Sequence, residues 1–248
     1  MDRLKGKVAI VTGGASGIGA ASSRAMVNEG ALVVVADVAE EQGSALADEL
    51  GDSVAFQRLD VTDEAGWRQV VAFAEATFGQ LNVLVNGAGI GLTHPLANHP
   101  RDIWERTLAV NLTGPFLGLV TALEALTRGV PSSVVNISSY AGLNGVSPQH
   151  AYTASKHGLT GLTRSAAREL APLGVRVNSV HPGGVATPMI AAFSDQVPTT
   201  GLNTLQRVAR PEEIAAMIVF LASDESSYST GSQFSADGGL GAGMTLPG

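Results

Sequence analysis

The chain has 248 residues, of which 22 are acidic and 15 are Lys or Arg, for a formal net charge of −7; 45% of its residues are hydrophobic and 15% charged. That balance supports a large buried core, excludes a disordered chain, and disfavours nucleic acid or an anionic membrane as the main partner, because both reward clustered cations. With no cysteine, disulfide and thiolate chemistry are excluded. Met1 to Lys7 lead into a short apolar run broken by Gly13 and Gly14 rather than into an export signal, so a cytoplasmic location is expected.

In chain order, a strand at 7–12 runs into Thr12-Gly-Gly-Ala-Ser-Gly-Ile-Gly19 and a helix from Ser16 to Glu29. A strand at 31–37 ends in Asp37, a helix follows from Glu40 to Leu50, then a strand at 54–59, a helix from Glu64 to Phe78 and a strand at 81–86. Asp102 to Arg128 is helical in pattern, but Asn111, Gly114 and Pro115 predict a kink or break inside it. A strand at 132–138, a helix from Ala151 to Leu170 and a strand at 175–180 come next. An irregular stretch over about 182–208 has the character of a substrate loop, and a helix from Pro211 to Ala222 and a weaker strand at 232–236 complete the series.

Strands alternating with helices imply right-handed crossovers. The expected fold is therefore α/β: a Rossmann-type, doubly wound, seven-stranded parallel sheet with helices on both faces, forming a single domain over 1–248. The near-continuous apolar runs Leu32-Val-Val-Val-Ala and Val83-Leu-Val fit inner strands buried on both sides.

Two patterns carry chemistry. Gly13, Gly17 and Gly19, with Ser16 and Ile18 among them, stand between a strand and a helix, where bare backbone can approach a pyrophosphate and a helix N-terminus can hold it. Asp37 lies eighteen residues beyond Gly19, the place of a carboxylate that accepts from an adenosine ribose diol and repels a 2′-phosphate, so NAD is expected over NADP. Asp37 can also be read as the N-cap of the helix beginning at Glu40.

The second pattern is Tyr152 and Lys156, one helical turn apart, with Ser139 thirteen residues upstream. Positions i and i+4 share a helix face, and a nearby ammonium favours phenolate, so the tyrosine pKa is expected to fall toward the range a general base needs. An ordinary exposed helix pair is the other reading of the same spacing. The five histidines show no metal-ligand spacing, and no metal is expected. Trp67 and Trp104 read as packing residues.

The glycine spacing, Ser139, Tyr152 and Lys156 together resemble the compact form of the short-chain dehydrogenase/reductase family. Asp60-Val61, Asn86-Gly-Ala88-Gly, Asn111, Asn136-Ile-Ser-Ser139 and Pro182-Gly183-Gly-Val185-Ala-Thr187 follow in family order over nearly the whole chain. Val177 to Gly183 and Leu221 to Gly231 are most similar to bacterial 3α(or 20β)-hydroxysteroid dehydrogenases. The resemblance implies hydride exchange between NAD and a hydrophobic secondary alcohol or ketone, with Tyr152 as proton donor and acceptor, Ser139 fixing the substrate oxygen, and Lys156 on the nicotinamide ribose. It implies that the Asn111 backbone holds a water leading from Lys156, that Asp60 and Val61 hold adenine, and that Asn86 and Ala88 line the cofactor channel. Pro182 and Gly183 would border the cofactor, Val185 and Thr187 would anchor the carboxamide, and a homotetramer is implied as the assembly. Gly87 departs from the family asparagine, which predicts a looser strand end. Leu92, Leu143, Val146, Met189, Ile190, Phe193 and Val197 are expected to give an apolar substrate pocket. An oxoacyl-thioester reductase and a non-catalytic NAD-binding sensor are the competing readings.

Overall fold

A computed structural model describes residues 2–191 and 203–243. Seven parallel strands lie in the order β3-β2-β1-β4-β5-β6-β7: β1 Val8–Thr12, β2 Leu32–Asp37, β3 Val54–Arg58, β4 Val83–Asn86, β5 Ser132–Ile137, β6 Val175–Pro182 and β7 Gln233–Ala236. Eight helices accompany them among the described residues: α1 Gly17–Asn28, α2 Glu40–Leu50, α3 Glu64–Phe78, α4 Arg101–Leu108, α5 Gly114–Arg128, α6 His150–Leu170, α7 Pro188–Ala191 and α8 Pro211–Ala222.

Period-two alternation along the inner strands sends side chains to two separate cores. Ala9, Val11, Val33 and Val35 pack with Met26 of α1, Leu46 of α2 and Ile214 and Ile218 of α8. Ile10, Val34 and Ala36 face the other way, onto Trp67 and Val70 of α3, Leu119 and Leu126 of α5 and Leu170 of α6. Since β1 is flanked by β2 on one side and β4 on the other, the chain leaves these central strands in opposite directions. A crevice opens at their carboxyl ends.

The predicted break in the 102–128 segment is a widened turn within a continuous helical run. Residues Ala109–Thr113 form a π-turn between α4 and α5, and Gly114 N–H reaches back to the Ala109 carbonyl. Pro115 has no N–H, so the α-helical donor to the Asn111 carbonyl is missing and the ladder must change register there. Arg101–Arg128 is also the one stretch among the described residues long and apolar enough to cross a membrane by length and composition. Much of its apolar surface is committed to the sheet, where Leu119, Ala122, Ala125 and Leu126 are buried.

Trp67 is wholly buried and donates its indole N–H to the Val61 carbonyl, as a packing residue should. Trp104 is exposed instead, edge-on to His99, which also stands edge-on to His94 and His150. Its helix α4 lies at the outer rim, with a single buried residue, Thr107.

At the far edge, Arg176 joins β6 to the end of α8 by donating to Ser226 Oγ at 2.8 Å, the Ser223 carbonyl at 2.9 Å and the Leu221 carbonyl at 3.0 Å. Replacing it strands these acceptors in partly buried surroundings. Arg176→Met is expected to cost about 2–4 kcal/mol and to lower the melting temperature by roughly 5–15 °C in thermal denaturation.

Candidate active site

One cleft of about 610 Å³ runs across the carboxyl ends of β1, β4, β5 and β6. Its walls include Gly13, Ser16, Gly17, Ile18, Gly19, Asp37, Asp60, Val61 and Ala88 at one end, and Ser139, Tyr152, Lys156, Pro182, Gly183, Val185 and Thr187 at the other. The fold thus brings together, in one continuous channel, residues up to the full breadth of the central sheet apart.

The glycines are required by close approach. A Cβ on Gly13 would meet the Ala88 backbone at 2.8 Å, and one on Gly19 would meet the Gly13 carbonyl oxygen at 2.0 Å. Gly13 and Gly17 also hold φ values of +65° and +51°, a region that side chains disfavour. The loop delivers Ser16 to the N-cap of α1, where its side chain makes no capping hydrogen bond. Asp37 fixes the loop from the next strand, its Oδ2 accepting from Ala15 N–H and its Oδ1 from Ala39 N–H, both at 3.0 Å. The N-cap of α2 is Ala39, so the capping reading of Asp37 is corrected: the carboxylate braces the glycine loop and remains on the cleft wall.

These residues fit a dinucleotide. A Cβ would fill the cradle at Gly13 or Gly19, the N-terminus of the 12-residue helix α1 opens onto it, and a carboxylate fixed by two backbone N–H groups stands on the same wall. At the same end of the cleft, Asp60 Oδ1 accepts from Thr62 N–H at 2.9 Å and Thr62 O–H at 2.8 Å, and these bonds hold its carboxyl below the usual range. Arg106 of α4 also borders the cleft there. No sequence signal marked it, because it reaches the site from a helix rim with no local pattern.

Asn86 is an exception among the expected channel residues. Its side chain is buried within the sheet and donates to Asn136 Oδ1 at 2.8 Å, while Asn136 in turn donates to Thr163 Oγ1 at 2.9 Å, so it ties β4 to β5 and α6 rather than lining the cleft. Asn111 is likewise behind the wall. Its Nδ2 donates to the Ile90 carbonyl and its Oδ1 accepts from Ile90 N–H, each at 2.8 Å, which clamps the loop after β4; a third contact donates to Ser155 Oγ at 3.1 Å. The amide oxygen and the Lys156 ammonium both flank bare Gly89.

Lys156 is buried, with Nζ donating to the Ile137 carbonyl at 2.8 Å and lying 5.6 Å from the centre of the Tyr152 ring. Burial lowers its pKa to about 8. The expected lowering of the tyrosine pKa is corrected here: burial raises the Tyr152 phenol above its ordinary value, and a hydrogen bond with the Ser139 side chain only partly opposes this. The ammonium shares the helix face but is turned toward a backbone carbonyl, so desolvation outweighs its influence. Ser139 Oγ also accepts from Ala141 N–H at 3.1 Å.

Of the apolar residues expected at the substrate end, Met189 and Ile190 line the cleft, joined by Ile90. A Cβ on Gly91 would sit 3.3 Å from Met189 Sδ and 3.7 Å from Tyr152 Cδ2, so bare backbone at Gly91 leaves room for both side chains. Leu92, Leu143 and Val146 lie away from the cleft wall, Leu143 being exposed; Phe193 and Val197 fall outside the described residues. Among the described residues no group of three or more His, Asp or Glu is arranged to hold a metal.

A glycine cradle continuous with half-buried Ser139 and Tyr152 and buried Lys156 defines a nicotinamide-dependent oxidoreductase. The chain belongs to the short-chain dehydrogenase/reductase family: residues 13–241 match a family model described as "Enoyl-(Acyl carrier protein) reductase". It is 49% identical over 243 residues to a 3-alpha-(or 20-beta)-hydroxysteroid dehydrogenase of Mycobacterium tuberculosis, covering 98% of this chain and 92% of the relative. A trans-4-hydroxycyclohexanecarboxylate dehydrogenase of Sinomonas cyclohexanicum is 43% identical, covering 99% and 96%, and a cyclohexanol dehydrogenase of an Acinetobacter species is 37% identical, covering 96% of each.

Gly87 does not loosen the strand end as its departure from the family predicts. Its N–H donates to Thr12 Oγ1 at 3.0 Å, Ala88 N–H does the same at 3.2 Å, and a Cβ at Gly87 would meet the Thr12 carbonyl oxygen at 2.6 Å. Gly87→Ala is therefore expected to destabilise the protein by about 1–3 kcal/mol, read as a lower melting temperature, and to weaken dinucleotide binding measured by calorimetry.

Proposed function

We propose that this chain is an NAD-linked dehydrogenase that interconverts a hydrophobic secondary alcohol and its ketone, with a hydroxylated alicyclic ring or steroid as the substrate class. The observation that carries the reading is the junction within one cleft of an Asp37-braced glycine cradle and the Ser139, Tyr152 and Lys156 set, with Met189 and Ile190 on the same wall. Named relatives that act on a hydroxysteroid, a cyclohexanol and a hydroxycyclohexanecarboxylate support the ring-alcohol class.

The bound nicotinamide supplies the hydride carrier. Tyr152 exchanges the proton with the substrate oxygen, as phenolate when an alcohol is oxidised and as phenol when a ketone is reduced. Ser139 donates a hydrogen bond to that oxygen and holds it beside Tyr152, a preorganised contact of a kind worth about 2.7–4 kcal/mol in strong cases. Lys156 holds the nicotinamide ribose and keeps a positive charge near the phenol. The main-chain carbonyl of Asn111, which lacks the Pro115 donor, is the acceptor we assign to a water on the path from Lys156 to solvent. Asp37 favours NAD by accepting from a ribose diol and repelling a 2′-phosphate. Asp60 and Val61 flank adenine, and Val185 and Thr187 the carboxamide.

A homotetramer in the cytoplasm completes the proposal. The exposed apolar residues Phe116 and Val120 on α5 support the assembly, and a cysteine-free chain is compatible with a reducing compartment.

Cofactor reduction measured with NAD across a panel of ring alcohols tests the reading. Tyr152→Phe is expected to abolish turnover while NAD binding stays nearly intact; equal inactivity of wild type and variant on the whole panel would favour the sensor, and strict use of NADPH with acyl thioesters would favour the oxoacyl reductase.

The pH profiles follow from the raised phenol and from the lysine pKa of about 8. Phenolate is the competent form in oxidation, so kcat/KM for the alcohol is expected to rise with pH through the alkaline range. Phenol is competent in reduction, so ketone turnover is expected to persist at neutral pH and fall as the phenol ionises.

Asp37→Ser is expected to reduce the NAD-to-NADP ratio of kcat/KM by about tenfold or more, the equivalent of one lost charge-assisted contact.

A further inference from the structure

Of the histidines, His181 is the one wholly enclosed by the protein. It stands on β6 immediately before Pro182 and Gly183, which border the cofactor end of the cleft. Its Nδ1 lies 2.9 Å from the Ser139 carbonyl oxygen, and its Nε2 lies 2.8 Å from Ser179 Oγ. A carbonyl oxygen only accepts, so Nδ1 must carry the proton, and in the neutral ring Nε2 then accepts from the Ser179 hydroxyl. Burial keeps the ring neutral by lowering its pKa.

The same Ser139 carbonyl accepts from Gly142 N–H at 2.8 Å, while Ser139 Oγ accepts from Ala141 N–H at 3.1 Å. The Ser139 peptide is therefore gripped from its own turn and, across the sheet, from β6. Without the imidazole, β6 keeps only its backbone bond from Ser138 N–H to the Val180 carbonyl, and the Ser139 carbonyl keeps Gly142 N–H but loses its donor from β6.

We propose that His181 is a positioning residue that sets the orientation of Ser139 relative to the Pro182–Gly183 wall, and so the register between substrate oxygen and nicotinamide; this rests on the dehydrogenase reading above. It touches neither substrate nor cofactor. Its effect belongs in kcat, because a misplacement of about 1 Å at a reacting centre costs on the order of a hundredfold in rate.

Two polar substitutions separate positioning from bulk. Asparagine can place an amide N–H near the Nδ1 position, whereas glutamine extends its amide toward Nε2. His181→Gln is expected to lower kcat by about 10–100-fold, with NAD affinity by calorimetry within about twofold of wild type, while His181→Asn recovers kcat to within about fivefold. In the wild-type protein, ¹⁵N NMR of the histidine rings is expected to show His181 protonated on Nδ1 alone across pH 6–9. Wild-type kcat in His181→Gln, equal losses in both variants that track a loss of folded protein, or an Nε2-protonated ring would each overturn the proposal. Should the variants not fold, the wild-type tautomer decides. Absence of turnover by wild type on every alcohol would sink the dehydrogenase reading, while the tautomer measurement would still report the link to Ser139.

Discussion

Lys156 places an ammonium inside the protein, hydrogen-bonded to the Ile137 backbone carbonyl, and much of the site is arranged around that cost. Burial penalises the charged form, which is why its pKa falls to about 8. The helix turn that carries it is stitched to the end of β5, with Ser138 Oγ donating to the Lys156 carbonyl at 3.1 Å and Thr160 Oγ1 donating to the same oxygen at 2.9 Å. A Cβ at Gly142 would meet Ser138 Oγ at 2.3 Å and the Lys156 carbonyl at 2.9 Å, so the turn after Ser139 can lie this close to α6 only with bare backbone. Lysine, serine and tyrosine are thus held by one packed corner between β5, α6 and the loop after β4.

That corner desolvates two neighbouring titratable groups. Each resists its charged form, so the unliganded state favours a neutral phenol, and a lysine whose charge is only modestly secure at neutral pH.

Much of the architecture was legible beforehand because its causes are local. Val-rich inner strands, a carboxylate closing β2 and glycines between β1 and α1 are patterns of neighbours, and the strand bounds lie within two residues of those expected. What was not legible depends on partners distant in sequence. Asn86, expected in the channel by resemblance to the family, turns into the sheet to meet Asn136, fifty positions away. His181 meets Ser139 across 42 positions, and Arg106 reaches the cleft from a helix rim. The Tyr152 and Lys156 spacing correctly put both on one face of α6, yet it carried no information about how completely other elements would cover them, and coverage set the sign of the phenol shift. The π-turn sits between these cases: the ring at position 115 pointed to trouble nearby, but only the three-dimensional path showed a bulge instead of a fracture.

That bulge sets a limit on how far the protein can be regularised. An alanine in place of Pro115 would return an amide hydrogen to the long helix and, by the usual rules of propensity, strengthen it. The restored donor would also engage the Asn111 oxygen that the proline leaves open, and drawing that turn tight would pull on the clamp at Ile90. Thermal hardening of this segment and preservation of the Ile90 clamp therefore make opposing demands on a single turn.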